Sequence, residues 1–145
     1  MIKLTNDRKL IVENTDKDRS DTVIKLDNIN ALYVAGNNNI ENPELSIYVM
    51  TDFDEKVMIY KSEYVLKVRK MYKKLASALN KMDANFKDYF PKCINLSKVK
   101  CVEWQKIPFK YIAIVEFKNR SLRFKTDEQE FNKIIDDWSS IQKTL

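Results

Sequence analysis

The segment RFKTDEQEF (residues 123–131) reads as a second version of IYKSEYV (residues 59–65). Each ends a β-like run on an aromatic residue and a lysine, then places a hydroxyl residue and an acid where a helix can begin. Working outward from this pair, the rest of the chain aligns with itself. VIKLDNINALYV (23–34) lies over CINLSKVKCVEW (93–104) at an offset of 70, matching Ile24 to Ile94, Leu26 to Leu96, Ile29 to Val99, Leu32 to Val102 and Val34 to Trp104. LSIYVMT (45–51) meets KYIAIVE (110–116) at an offset of 65, and VMIYKSE (57–63) meets SLRFKTDE (121–128) at 64. The drop in offset falls mainly in AGNNNIENPE (35–44), whose Gly, Asn and Pro content marks a turn-rich excursion.

Each copy reads as three or four strands and one helix. Leu45, Ile47 and Val49 alternate with Ser46, Tyr48 and Met50; Tyr111, Ala113, Val115 and Phe117 alternate with Ile112, Ile114, Glu116 and Lys118. Turns fall at DFDE (52–55) and KNRS (118–121), and MIKL and KLIVE, joined by TNDR, form an extra N-terminal hairpin. With Ser62 as N-cap, Val65, Val68, Tyr72, Leu75, Leu79 and Met82 make an apolar stripe in steps of three and four. The spacing of Thr126 and Gln129 fits a capping box, and Phe131, Ile134, Trp138, Ile141 and Leu145 form the second stripe. Tyr72 and Trp138 are expected in the core.

The expected fold is therefore α+β: a tandem duplication of a three- or four-stranded antiparallel β unit followed by one α-helix. The first unit spans residues 1–83 with the extra hairpin, and the second spans 84–145. DANFKDYFPK (83–92) is too aromatic for a free linker, so the units are expected to pack as one body.

Composition narrows the function. The chain has 145 residues, 44% of them apolar, which suffices for one ordinary core. No apolar run approaches the roughly 20 residues that span a bilayer, and MIKLTNDRKL meets charge too early for a signal peptide. The expected setting is cytoplasmic, with no membrane partner. There is no histidine, which removes Ser-His-Asp, Cys-His and histidine general-base chemistry, and with only Cys93 and Cys101 the chain lacks the usual zinc ligand sets. Both cysteines lie in strand-like segments and read as buried free thiols. One glycine, Gly36, leaves no phosphate-cradling loop. No cofactor is indicated, and the expectation is a binding protein rather than an enzyme.

The net charge of +5 is unevenly placed. Residues 56–82 hold Lys56, Lys61, Lys67, Arg69, Lys70, Lys73, Lys74 and Lys81 against Glu63 alone, a net of +7, so the remainder is −2. At 100° per residue, Lys67, Arg69, Lys70, Lys73, Lys74 and Lys81 fall opposite the apolar stripe, giving the first helix a basic ridge. Such a ridge suits either solvent or a polyanion, whose phosphates it would neutralise with counterion release. The second helix has Asp127, Glu128, Glu130, Asp136 and Asp137 against Lys133 and Lys143, a net of −3, and sister helices of opposite sign suit docking with a partner or a second copy. Leu66 would be exposed on the basic side.

Strands followed by a helix, repeated, resemble in topology the PUR and whirly single-strand-binding proteins, and a pleckstrin-like domain shares the plan of strands closed by one helix. The first resemblance implies sheet faces on which basic and aromatic side chains receive unstacked bases. Tyr48, Arg123 and Lys125 are candidates there, as are Lys118, Tyr60 and Phe124, the last two being equally suited to the core. DKDRSD (16–21) gives Asp16, Asp18 and Ser20 in calcium-loop spacing with Asp27 at the twelfth position, but Asp21 stands where glycine is needed and flanking helices are missing. The acidic pairs Asp52 with Asp54 and Asp136 with Asp137 read as solvated charge. Two functions remain: a small protein binding single-stranded nucleic acid, or a protein-interaction module (adaptor, inhibitor or structural subunit) of the kind carried by phages and mobile elements.

Overall fold

The computed structural model describes residues 1–14, 20–36, 44–108 and 110–142. It divides into two compact units, Met1–Ile94 and Asn95–Leu145. In the first, β1 (Ile2–Thr5) and β2 (Lys9–Val12) form the N-terminal hairpin, and β3 (Thr22–Lys25) adds antiparallel to β2. The hairpin turn holds Arg8 in the left-handed region, φ 63°, where its guanidinium reaches Asp27 at 2.9 Å and Asp83 at 3.0 Å. A one-turn 3-10 helix, Leu26–Asn28, leads into β4 (Ile29–Gly36), β5 (Leu45–Thr51) and β6 (Val57–Ser62), which form an antiparallel meander. Helix α1 (Val65–Met82) follows, then β7 (Phe86–Tyr89) and β8 (Lys92–Asn95). The main sheet runs β6-β5-β4-β8-β7.

The core of this unit follows from the alternation and the helical stripe. Leu32, Ile47, Val49 and Ile59 point from the sheet toward Val68, Tyr72, Leu75 and Leu79 of α1, with Leu10, Ile24, Phe86 and Cys93 closing the cluster. The helix does not start as its sequence suggests: Ser62 is the last residue of β6, its Oγ accepts the Tyr64 amide at 3.0 Å, and Tyr64 stands at the N-cap without a side-chain cap.

In the second unit a 3-10 turn, Leu96–Lys98, precedes β9 (Cys101–Ile107), β10 (Lys110–Glu116), β11 (Ser121–Thr126) and α2 (Glu128–Gln142), with strand order β11-β10-β9. Leu96, Val99, Ala113, Val115, Leu122 and Ile134 are buried. The capping residues are one step later than the sequence implies. Asp127 Oδ1 accepts the Glu130 amide at 2.7 Å, and Glu130 Oε1 accepts the Thr126 hydroxyl at 2.9 Å, so Asp127 and Glu130 take the places expected of Thr126 and Gln129. Trp138 is half-buried rather than enclosed, as is Cys101, whereas Cys93 is fully buried; both thiols are free.

The α+β architecture with antiparallel sheets is thus present, and its element order repeats. Two strands, a 3-10 turn, three strands and a helix occur from β2 to α1 and again from β7 to α2. The compact units nevertheless do not divide where the copies do. Strands β7 and β8 lie beyond residue 83, in the second copy by sequence, yet β8 pairs with β4 through Ala31–Ile94, Leu32–Cys93 and Tyr33–Lys92. Asp16 and Asp18 of the calcium-like spacing, most of the 35–44 loop, Lys143 and Leu145 lie outside the described residues. Asp27, the proposed twelfth position, is held by Arg8.

Candidate nucleic-acid interface

Helix α1 carries six cations and no acid over Val65–Met82, and all six are exposed. They do not act as one surface. Lys67, Lys70 and Lys74 follow steps of three and four and so share a flank, the one that looks toward β6. There they line, with Tyr60 and Met71, an open cleft of about 210 Å³. At its helix-N-terminal end Tyr64 is 58% exposed, and Lys67 Nζ lies 5.0 Å from its ring centroid. Among the described residues none of the six cations takes part in a salt bridge. Uncompensated like charges this close keep a positive potential at the cleft, which counter-ions or a polyanion would occupy.

Arg69 belongs to the other flank, where its guanidinium sits 5.8 Å from the ring centroid of Phe90, itself 42% exposed. Lys73 follows Arg69 by one turn. Lys81 lies in the last turn of α1, where a cation offsets the partial negative charge of the terminal carbonyls. Of the expected ridge, the structure therefore brings Lys67, Lys70 and Lys74 together beside Tyr60 and sets Arg69, Lys73 and Lys81 apart from that cleft.

Tyr48 is on the opposite side of the main sheet from α1, because its neighbours Ile47 and Val49 face the helix. It stacks on its cross-strand partner Tyr33, ring centroids 5.5 Å apart at 27°, with Lys56 Nζ 5.1 Å from its own centroid. Burial, aided by Glu55, pushes the Tyr33 phenol up to about 12. Here the sequence reading missed Tyr33 and counted Lys56 only as part of the basic stretch 56–82, although the register Tyr33–Tyr48 follows from pairing the alternating strands.

In the second unit Arg123 and Lys125 project from β11 on the side away from Leu122 and Phe124. Both are exposed, and Arg123 Nη2 donates to Gln105 Oε1 at 3.3 Å. Phe124 is half-buried. The unit's aromatic group was not singled out from sequence: Trp104 stacks on Tyr111 at 4.9 Å and meets Phe131 at 4.3 Å. Lys106 and Glu128 border the adjacent cleft of about 230 Å³. Cys101 Sγ and carboxylate oxygens of Glu103 and Glu116 lie within 4.8 Å of one another, one donor short of a closed four-ligand site.

Compared with models of known protein families, with curated proteins and with solved structures, the chain matches none. No helix among the described residues is long and apolar enough to cross a membrane.

Proposed function

We propose that this protein is a non-enzymatic binder of single-stranded nucleic acid, engaging the backbone through Lys67, Lys70 and Lys74 and a base through Tyr64 or Tyr60. The observation that carries this reading is the convergence on one aromatic-edged cleft of three lysines that, among the described residues, make no salt bridge. Lysines supply phosphate neutralisation without base readout, and an exposed ring supplies a stacking surface every base can use. The paucity of arginine, five against 21 lysines, goes with weak sequence preference because bidentate base contacts are chiefly arginine's. Anisotropy titration of a labelled single-stranded oligonucleotide at about 50 mM salt tests it. Binding is expected to weaken roughly 5- to 150-fold in Tyr64→Ala, the value of about 1–3 kcal/mol for one stacked base. No detectable binding by the wild type overturns the proposal.

A second reading, a protein-interaction module, draws on the apolar start of α1. Val65 is 47% and Leu66 78% exposed beside Tyr64, a patch that a protein partner could cover. Negligible oligonucleotide binding together with a protein partner lost on Leu66→Glu would favour it.

A further inference from the structure

Strand β8 shows how one copy of the repeat completes the sheet of the other: it adds antiparallel to β4, on the side that β5 does not occupy. The elements equivalent to this pair, 70 residues earlier and later, are β3 for β8 and β9 for β4. β3 spans Thr22–Lys25 where β8 spans Lys92–Asn95, and each runs directly into a 3-10 turn, Leu26–Asn28 or Leu96–Lys98. Among the described residues both equivalents have an open edge. β3 ends the sheet β1-β2-β3, and β9 ends the sheet β11-β10-β9.

We infer that two copies of this chain associate by antiparallel pairing of β3 of one with β9 of the other, reciprocally, giving a two-fold dimer. Transferring the β4–β8 register by 70 residues sets Ile24 opposite Cys101, Val23 opposite Val102 and Thr22 opposite Glu103. All six fall within the observed strands. Pairing would continue β1-β2-β3 into β9-β10-β11 of the second copy, so that each open edge gains the ladder partner its equivalent already has.

The side chains at the edge fit this occupant. Val23 is 54% exposed in the middle of β3, an apolar residue on an edge that lacks the prolines or bulges by which edges are usually protected. A groove of about 370 Å³ opens beside it, bordered by Val23, Ile24 and Lys25 and, across from them, by Phe53 and Val57. Phe53 is 76% exposed. On β9 the mapped partners Cys101 and Val102 are half-buried, and Glu103 is exposed. A second copy is the occupant because it brings the same sequence repeat that fills the equivalent position at β4. In a two-fold dimer two identical contacts would satisfy the edges of β3 and β9 in both copies.

This inference is independent of nucleic-acid binding, and its test is separate. Sedimentation equilibrium at about 100 μM chain, which captures micromolar dissociation constants, is expected to give a dimer. Val23→Lys, at an exposed position, is expected to give a monomer with an unchanged circular-dichroism spectrum. In a Cys101→Ser background, chains carrying Val23→Cys mixed with chains carrying Val102→Cys are expected to form a disulfide-linked dimer on mild oxidation. Three results would overturn the inference: a wild-type monomer at that concentration, an assembly unaffected by Val23→Lys, or a doubly substituted chain that closes its disulfide within itself.

Discussion

Tyr72 offers a stability test in which two substitutions separate two contributions. Its side chain is wholly enclosed on the inner face of α1, its ring meets Phe90 edge-on at 5.2 Å and 78°, and its hydroxyl donates to Asp88 Oδ1 at 2.8 Å. Tyr72→Phe removes the hydroxyl alone. Because Asp88 is exposed, water replaces the lost donor, and the loss is set at about 1 kcal/mol, the net value of an ordinary hydrogen bond. Tyr72→Ala also removes the ring and leaves a cavity among Val68, Leu75 and Phe86, so the loss rises to about 3–5 kcal/mol. With a urea m-value of about 2 kcal/mol/M, the midpoint should fall by about 0.5 M in the first variant and about 2 M in the second, with m unchanged. Urea titration followed by circular dichroism reads both. Equal losses in the two variants, or an alanine variant within about 1 kcal/mol of wild type, would refute the assignment of Tyr72 to the packed core. Trp138→Ala should cost clearly less than Tyr72→Ala, because Trp138 keeps part of its surface in solvent.

Three further outcomes follow from particular contacts. Asp127→Ala should destabilise by about 1 kcal/mol, read by thermal unfolding, since it removes the acceptor of the Glu130 amide at the start of α2. Asn30→Ala should change stability by less than about 1 kcal/mol, because the buried amide, at a register shift in β4, has no hydrogen-bond partner among the described residues to lose. Above pH 9 stability should fall progressively toward pH 12. Burial raises the Cys93 thiol from 9.0 to about 12 and the Tyr33 phenol from 10.0 to about 12, so the unfolded chain loses these protons first and unfolding is favoured as pH rises through that window. A denaturation midpoint that stays level from pH 9 to 12 would contradict it.

Much of the fold was legible because it rests on local periodicity. The coincidence of Leu26 with Leu96 and of the two helical stripes marks the repeated element order, and alternation at Ile47 and Val49 against Tyr48 fixes which face of the sheet meets α1. What escaped the sequence were long-range choices. Nothing local to Lys92–Asn95 says that it pairs with β4, since strand partnering depends on distant residues. The caps shifted because several hydroxyl and acidic residues in SEY and TDEQ could each serve, and the backbone path selects among them. The ridge was read from helical geometry alone, which cannot tell that β6 stands beside Lys67, Lys70 and Lys74 but not beside Lys73. Tyr60, ambiguous between core and surface in sequence, is both: it packs on the core cluster and edges the cleft.

The most direct measurement of the proposed function is the salt dependence of single-strand affinity for the wild type and for the combined variant Lys67→Glu, Lys70→Glu, Lys74→Glu. Each neutralised phosphate of a single strand contributes about −0.7 to the slope of log affinity against log salt, so three lysines give a slope near −2 and a weakening of about 20-fold from 50 to 200 mM. The three-fold reversal should abolish binding while leaving the unfolding midpoint close to wild type, because all three side chains are exposed. Affinity that is indifferent to salt, or that survives the reversal in a folded protein, would contradict the assignment of this cleft to nucleic acid.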